Sequence, residues 1–301
     1  MVEHPTLLKI ERRNKIAGIL RGCLKPYDLQ GVVNETELEV GERSVTEKTG
    51  NRRVSFAILD TTFPREPTPC DLYHYTTIAS LRSIASTGQL RLYAVRKRVG
   101  QSELDAFAKA HGLEGYLDAT QGPPFYKELS DNLFYISLTR VPPKNPSLMW
   151  GVFAAGTGVR LQFRIAPKPA AELRPIYYKD SKITLLNKIN KELASEGLPV
   201  FVPWTLSRIG VFYLPLTLRT EDEVRLVIKR YKDGPNQVLS DGEFNYWPLP
   251  IGVDNDFCRV DFVGLHAAPS ADRAQIEAAI ADTAFAKIPV TGHSFAMPAG
   301  L

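Results

Sequence analysis

The sequence has no long apolar segment and few cysteines. No stretch approaches the roughly 18 consecutive apolar residues that a membrane-spanning helix needs, so no membrane partner is expected. The first residues lack the basic and then apolar order of a secretory signal. The three cysteines, Cys23, Cys70 and Cys258, are widely spaced and odd in number, which argues against a disulfide framework. We therefore expect a cytoplasmic protein; delivery into another cell without a signal peptide is compatible with the same sequence.

Several common catalytic and binding motifs are also absent. The glycine-rich turn at Gly156 and Gly158 precedes a strand pattern, which excludes the dinucleotide-binding turn of a Rossmann fold. The sequence contains neither a phosphate-binding GxxxxGK[ST] loop nor a GxSxG nucleophile elbow. The five histidines are isolated from one another and from the cysteines, so no metal site is predicted.

The composition is that of a globular protein, with 44% hydrophobic and 23% charged residues. A net charge of +4 makes the chain mildly basic. Local basic clusters occur at residues 11–15, 51–53 and 96–98. Such clusters are typical of solvated surfaces, and contact with an anionic partner such as nucleic acid is the alternative interpretation.

The hydrophobic pattern predicts an α+β fold in two parts. Residues 1–24 have helical spacing, and residues 36–40 and 53–59 are predicted to form a strand, a turn and a second strand. Three prolines between residues 61 and 69 indicate a linker. We therefore divide the chain into an N-terminal extension or subdomain, residues 1–64, and a main domain, residues 70–290.

The main domain is predicted to mix short strands with helices, without the regular alternation of a doubly wound sheet. Strands are predicted at residues 72–75, 133–138, 159–165, 175–178, 211–218, 224–229 and 257–265. Helices are predicted at residues 78–87, 102–111, 147–155, 183–193 and 271–281, with a loop at 118–132. Thr76-Thr77 is the candidate N-cap of the first of these helices, and Gly88 is expected to end it.

Three segments combine reactive or aromatic side chains with the ends of predicted elements. They are residues 73–76, residues 134–138 running on to the helix of Trp150 and Phe153, and residues 220–225. Their order resembles the core of the ADP-ribosyltransferases, and more closely the bacterial family called domain of unknown function 2971. The resemblance covers residues 71–282. It rests on His74-Tyr75-Thr76, Met149-Trp150 to Phe153, Gly158-Val159 to Phe163, Pro175 to Tyr178, Glu221 to Arg225, and the closing strand and helix of residues 257–280.

The resemblance implies an ADP-ribosyltransferase-like fold with NAD as co-substrate. Breaking the bond between nicotinamide and ribose develops an oxocarbenium-like charge, which a carboxylate stabilises. Glu223 is the implied carboxylate, Arg225 would hold it in position, and His74 is the second implied catalytic residue. The implied NAD-binding residues are His74, Tyr75, Thr76, Ser137, Trp150 and Phe153.

The expected activity is mono-ADP-ribosylation of a macromolecular acceptor, either nucleic acid or protein. The bacterial family implies a toxin, effector or defence protein, with an antitoxin or regulator as a further partner. One alternative is an NAD glycohydrolase, in which water is the acceptor. Another is a non-catalytic module that binds a nucleotide or a protein, because Phe153 replaces the usual tyrosine of the family and an acidic Asn-Asp-Pro-x-Glu stretch is missing. Ordinary structural roles for His74, Glu223 and Trp150 are also open.

Overall fold

The structure is a computed structural model of the chain. It describes residues 5–95, 107, 109–111, 113, 132–140, 146–178, 184–214, 222–230 and 237–292, with side chains from residue 9 onward in the first helix. The described residues belong to two compact units. The first unit draws on Met1–Arg65, Arg98–Asp131 and Tyr177–Leu216, and the second on Glu66–Lys97, Asn132–Ile176 and Thr217–Leu301. The segment 1–64 thus lies in the first unit, whereas the range 70–290 is divided between both.

The described elements are mixed helices and strands, which confirms the α+β class. The helices are α1 (Pro5–Leu24), α2 (Arg53–Thr62), α3 (Ile78–Thr87), α4 (Leu185–Ser195), α5 (Leu206–Val211) and α6 (Arg273–Ile280), with a π-helix at Met149–Phe153. The first strands are β1 (Leu38–Val40), β2 (Ser44–Glu47), β3 (Cys70–Thr76), β4 (Gln89–Ala94), β5 (Leu133–Thr139), β6 (Val159–Pro167), β7 (Ala171–Pro175) and β8 (Tyr177–Tyr178). The remaining strands are β9 (Val200–Phe201), β10 (Tyr213–Leu214), β11 (Glu223–Lys229), β12 (Leu239–Ser240), β13 (Asn245–Pro250), β14 (Cys258–Ala267) and β15 (Val290–Thr291). None of the helices in these ranges is long and apolar enough to cross a membrane.

The first unit packs helices on a small sheet. Helix α1, predicted from its spacing, buries Ile16, Leu20 and Leu24 along one side. The sheet has the order β1-β2-β9, in which β1 and β2 are antiparallel and β9 joins in parallel. The predicted first strand, residues 36–40, is a 3-10 turn followed by β1.

The predicted strand at residues 53–59 is wrong, because these residues form helix α2. Val54, Ile58 and Leu59 are buried at helical spacing, whereas polar and apolar residues alternate only over residues 53–56. The backbone N–H groups of Val54 and Ser55 donate to the Glu47 carboxylate at 2.8 and 2.9 Å. A carboxylate at the N-terminus satisfies donors that a helix leaves unpaired. This remote cap selects the helix over the strand.

His111 is fully buried in the first unit, in an aromatic cluster with Phe107 and Tyr213. Its Nδ1 lies 2.7 Å from the Phe107 carbonyl oxygen, and its ring packs 4.4 Å from that of Phe107 and 5.1 Å from that of Tyr213. Burial lowers the pKa of His111 to about 4. The folded protein therefore holds this imidazole neutral over the range in which an exposed histidine becomes charged.

We expect His111 to make the protein less stable as the pH falls from about 6.5 to about 4. In this window the unfolded chain binds a proton at His111 that the folded chain does not, so stability rises with pH and levels off above about 6.5. The full effect is about 3 kcal/mol, because the pKa falls from 6.5 to about 4 on folding. Urea unfolding at several pH values should show this slope in the wild type. The slope should be reduced in His111→Asn; an unchanged slope would contradict the assignment.

The second unit contains a ten-stranded mixed sheet that forks at β5. Its main path runs β12-β13-β4-β5-β3-β6-β14-β15, while β11 pairs with β5 and β7 pairs with β11. Strand β11 covers one edge of β5 over its whole length. The other edge is shared: β4 pairs with Phe134 and Tyr135, and β3 pairs with Thr139. The backbone at Ser137 lies between these two branches.

One face of this sheet carries the main hydrophobic core. Alternate residues of β3, β5, β6 and β11, such as Leu72, Ile136, Phe163 and Leu226, pack together there. Helices α3 and α6 add side chains including Leu81 and Ile276 to the same cluster. Thr77 caps α3 by accepting from the Ser80 N–H, and Gly88 ends it at a φ of +62°, as predicted.

Most predicted elements of the main domain are confirmed with shifted ends. Residues 175–178 are the end of β7 and the strand β8. In the predicted strand at 211–218, residue 211 ends α5 and residues 213–214 form β10, whereas residues 215–218 lie outside the described residues. Strands β4 and β13 were not predicted. The predicted helix at 102–111, where residues 107 and 109–111 are helical, and the predicted loop at 118–132 fall mostly outside the described residues.

Candidate functional site

The face of the sheet opposite the main core carries polar side chains in register. Thr139 of β5 pairs with Tyr73 of β3 on one side and with Glu223 of β11 on the other. Side chains alternate along a strand, so directly paired residues share a face. The same register extends this surface to neighbouring strands. We call it the polar face; it carries Tyr73, Tyr75, Ser137, Thr139, Arg160, Glu172, Arg174, Glu223 and Arg225.

Glu223 begins β11 on the polar face and is 4% exposed. Arg225, two residues along the strand, donates from Nε to Oε1 at 2.7 Å and from Nη2 to Oε2 at 3.1 Å. The Arg225 guanidinium also lies 4.6 Å from the ring centroid of Tyr135. A two-pronged ion pair of this kind fixes the plane of a carboxylate. Arg225 therefore contacts and orients Glu223, as the sequence predicts.

A second ion pair of the same form lies on the neighbouring strand. Arg174 donates to Glu172 Oε2 from Nε at 3.0 Å and from Nη2 at 2.8 Å, and both side chains are buried. Arg174 pairs directly with Arg225 across β7 and β11. Opposed arginines repel unless each has its own counter-charge, which the two glutamates supply. Sequence reasoning missed this pair, although Glu172-Leu173-Arg174 repeats the Glu-x-Arg pattern of Glu223-Val224-Arg225 on a neighbouring strand.

The structure places His74 on the other face of the sheet. His74 pairs with Leu161, whose side chain belongs to the main core, while its neighbour Tyr73 shares the polar face with Glu223. The two predicted catalytic residues, His74 and Glu223, therefore point to opposite faces. His74 Nδ1 lies 3.0 Å from the Ser137 carbonyl oxygen at the fork. Because a carbonyl only accepts, Nδ1 carries the proton, and in the neutral ring Nε2 is the acceptor.

The predicted aromatic residues form a small cluster at the end of β3. The rings of Tyr75 and Trp150 meet edge to face at 4.9 Å, and Met149, Ala154 and Ala268 surround them. Trp150 belongs to the π-helix, a distortion that occurs frequently at functional sites. The structure thus brings Tyr75 and Trp150 together on the polar face.

The other predicted NAD-binding residues differ in their position relative to this cluster. Phe153 ends the π-helix and is 36% exposed. Thr76 is buried at the end of β3, where its register places it on the face of the main core. Ser137 is half-buried on the polar face and pairs with Arg225. Among the predicted residues outside the aromatic pair, strand register therefore places Ser137 and Glu223 on the polar face.

Arg160 is a polar-face residue that sequence reasoning missed. It pairs with Tyr75 across β3 and β6 and is 6% exposed. Its guanidinium lies 4.8 Å from the ring centroid of Tyr73. Burial raises the pKa of the Tyr75 hydroxyl, and the neighbouring Arg160 guanidinium opposes part of that rise. The arginine could have been noted as a polar residue alternating with the apolar residues of the predicted strand 159–165.

The remaining predictions concern undescribed residues, metal binding and the cysteines. Glu221 and the basic cluster at 96–98 lie outside the described residues. Within the described ranges, no group of three histidine, cysteine or acidic side chains is placed to hold a metal ion. The three cysteines are free thiols.

Comparison with known proteins gives no relative. No protein-family model matches the chain, and neither a curated protein nor a solved structure is detectably similar to it. The resemblance described above therefore rests on the residues quoted for it.

Proposed function

We propose that the protein is a mono-ADP-ribosyltransferase that uses NAD as co-substrate. The observation that carries this proposal is the Glu223–Arg225 ion pair at the start of β11, in register with Thr139 and Tyr73 on the polar face. The three sequence segments of the resemblance lie on adjacent strands or, for Trp150, against them. This arrangement supports a fold of the ADP-ribosyltransferase type with NAD on the polar face.

The chemistry assigned to Glu223 is electrostatic. When the bond between the ribose C1′ and the nicotinamide nitrogen breaks, the bonding electrons leave with nicotinamide and positive charge develops on the ribose. A buried, oriented carboxylate stabilises that charge more than a solvated one does. The acceptor then forms a bond to C1′ and loses its proton. Arg225 is a positioning residue in this scheme, since it acts through Glu223.

The aromatic pair suits the nicotinamide end of the co-substrate. Tyr75, Trp150 and Phe153 offer ring faces or edges, and aromatic contacts contribute roughly 0.5 to 1.5 kcal/mol beyond burial. Ser137 and the backbone near Thr76 offer hydrogen bonds to the amide. His74 has a positioning role in the proposal, because its hydrogen bond to the Ser137 carbonyl holds β3 against β5 at the fork.

The acceptor in this proposal is a macromolecule, either nucleic acid or protein. A bacterial toxin, effector or defence role, controlled by an antitoxin or regulator, is the biological setting that the resemblance favours. A nucleic-acid acceptor is favoured by the mildly basic charge of the chain. Binding to RNA or DNA that weakens steeply with salt would support that acceptor.

We expect Glu223→Gln to lower the rate of nicotinamide release from NAD by about 100-fold or more. Removing one preorganised electrostatic group from an active site costs about 10² to 10³ in rate. The measurement is nicotinamide release by purified protein with labelled NAD and a cell extract. Label on RNA, DNA or protein identifies transfer and the class of acceptor, whereas release without label identifies an NAD glycohydrolase.

Glu172→Gln is the matched control for Glu223→Gln. It makes the same change in the second buried Glu-x-Arg pair, on the strand next to β11. A general loss of folding should affect both variants, whereas a chemical role should affect Glu223→Gln alone. Equal rates in Glu223→Gln and the wild type would sink the proposal.

A non-catalytic nucleotide-binding module is the second candidate function. It is favoured by the placement of His74 and Glu223 on opposite faces and by the burial of Glu223. NAD binding by folded wild-type protein without any nicotinamide release would support this candidate.

A further inference from the structure

Thr139 is a buried polar residue at the centre of the polar face. Its side chain is 4% exposed, and its Oγ1 has no hydrogen-bond partner among the residues that the structure describes. A buried hydroxyl without a partner costs about 1–3 kcal/mol, and folded proteins leave few of them. Within the described part of the chain the hydroxyl is therefore left without a partner, and a bound molecule is one that could supply it.

The neighbours of Thr139 indicate the chemistry of that partner. Thr139 pairs with Glu223 on one side and with Tyr73 on the other. Directly paired side chains have their Cβ atoms about 4.5–5.5 Å apart. At that spacing, a carboxylate and a hydroxyl can each bind one of two adjacent hydroxyl groups on a single sugar ring. The carboxylate accepts from one sugar hydroxyl, and the threonine hydroxyl can accept from or donate to the other.

We infer that Thr139 is a binding residue for the cis-diol of a ribose, and that it holds the hydroxyl next to the one bound by Glu223. The inference rests on the proposed function, since it takes the sugar to be the nicotinamide ribose of NAD. The geometry of the face thus assigns both ribose hydroxyls to adjacent residues of β5 and β11.

The experiment compares Thr139→Val with Thr139→Ser and the wild type. Valine keeps the shape and removes the hydroxyl, whereas serine keeps the hydroxyl. We expect Thr139→Val to weaken NAD binding about tenfold, the loss of roughly one hydrogen bond, and Thr139→Ser to stay within about threefold of the wild type. The wild type should bind NAD more tightly than an analogue that lacks the ribose hydroxyl assigned to Thr139. This difference in affinity should be smaller for Thr139→Val.

Unfolding of the same variants separates a binding role from a structural one. Because the hydroxyl has no partner in the described chain, Thr139→Val should unfold at the same urea concentration as the wild type or a higher one. A clearly lower midpoint would show that the hydroxyl stabilises the fold, and it would overturn the inference even if NAD is turned over. Equal NAD binding by wild type and Thr139→Val would also overturn it. Absence of NAD binding by the wild type would instead refute the proposed function, and the assignment of Thr139 would fail with it.

Discussion

Replacing Glu47 by alanine is expected to destabilise the first unit by about 3–5 kcal/mol. The carboxylate is 1% exposed and accepts hydrogen bonds from the N–H groups of Val54 and Ser55 and from the Ser55 hydroxyl. A hydrogen bond to a charged group contributes about 1.5–3 kcal/mol, and the truncation leaves the donors of such bonds buried and unsatisfied, so a loss of about 3–5 kcal/mol is expected. The negative charge also lies at the N-terminus of α2, where it interacts favourably with the helix dipole.

The loss of stability should extend beyond the start of α2, because Ser55 also bonds to the segment of Trp204 and Thr205. Its hydroxyl accepts from the Trp204 N–H at 2.9 Å, and its carbonyl accepts from the Thr205 hydroxyl at 2.9 Å. Urea unfolding at neutral pH measures the effect. Glu39→Ala, an exposed glutamate on the adjacent strand β1, is the matched control and should change stability by less than about 0.5 kcal/mol. Similar losses in both variants would show that the cap is not what stabilises α2.

The second large effect is expected from Gly158→Ala. A Cβ at this position would lie 2.2 Å from the Thr76 carbonyl oxygen and 2.7 Å from that of Ala154. Both neighbours are backbone atoms, so the clash cannot be relieved by turning a side chain. We expect a loss of about 3 kcal/mol or more, at the upper end of the cost of overpacking.

The backbone around Gly158 offers little room for adjustment. Its N–H donates to the Ala154 carbonyl at 2.7 Å, and its carbonyl accepts from the Ala268 N–H at 3.0 Å. Gly151→Ala, in the π-helix, is the control, because no atom lies within 4 Å of its added Cβ. It should be neutral or slightly stabilising. Thermal and urea unfolding of the two variants provide the test, and a Gly158→Ala variant as stable as Gly151→Ala would contradict the packing.

The elements predicted correctly are those whose signals are local in the sequence. Helix α3 has its apolar spacing, its Thr77 cap and its Gly88 stop within a dozen residues. Helix α2 was mistaken for a strand because Glu47, which caps it, is separated from it by a turn. Strand β13 was missed because prolines argue against a strand. Strand β12 pairs only with the first two residues of β13. At Pro248 the outer edge of β13 therefore has no described partner strand, which is where a proline is tolerated.

The candidate site was predicted in its residues more than in its geometry. The sequence identified Glu223 and Arg225 together, and their contact needs only the spacing of two along a strand. It could not fix which face His74 occupies, because one residue of register separates it from Tyr73 and reverses the face. The predicted strand at 133–138 also stopped one residue short of Thr139. Thr139 is a candidate binding residue because of its partners on β3 and β11, which the sequence does not show.

The fork at β5 has a consequence for the order in which the second unit opens. Strand β5 is hydrogen-bonded along one edge by β11 and shares its other edge between β4 and β3. Local opening of either branch leaves the pairing of β5 with β11 intact, so we expect the hydrogen bonds between these two strands to open only when the unit unfolds as a whole. Thr139 and Glu223 pair at one end of this ladder. Fluctuations of the branches can change access to the polar face without moving these two residues apart.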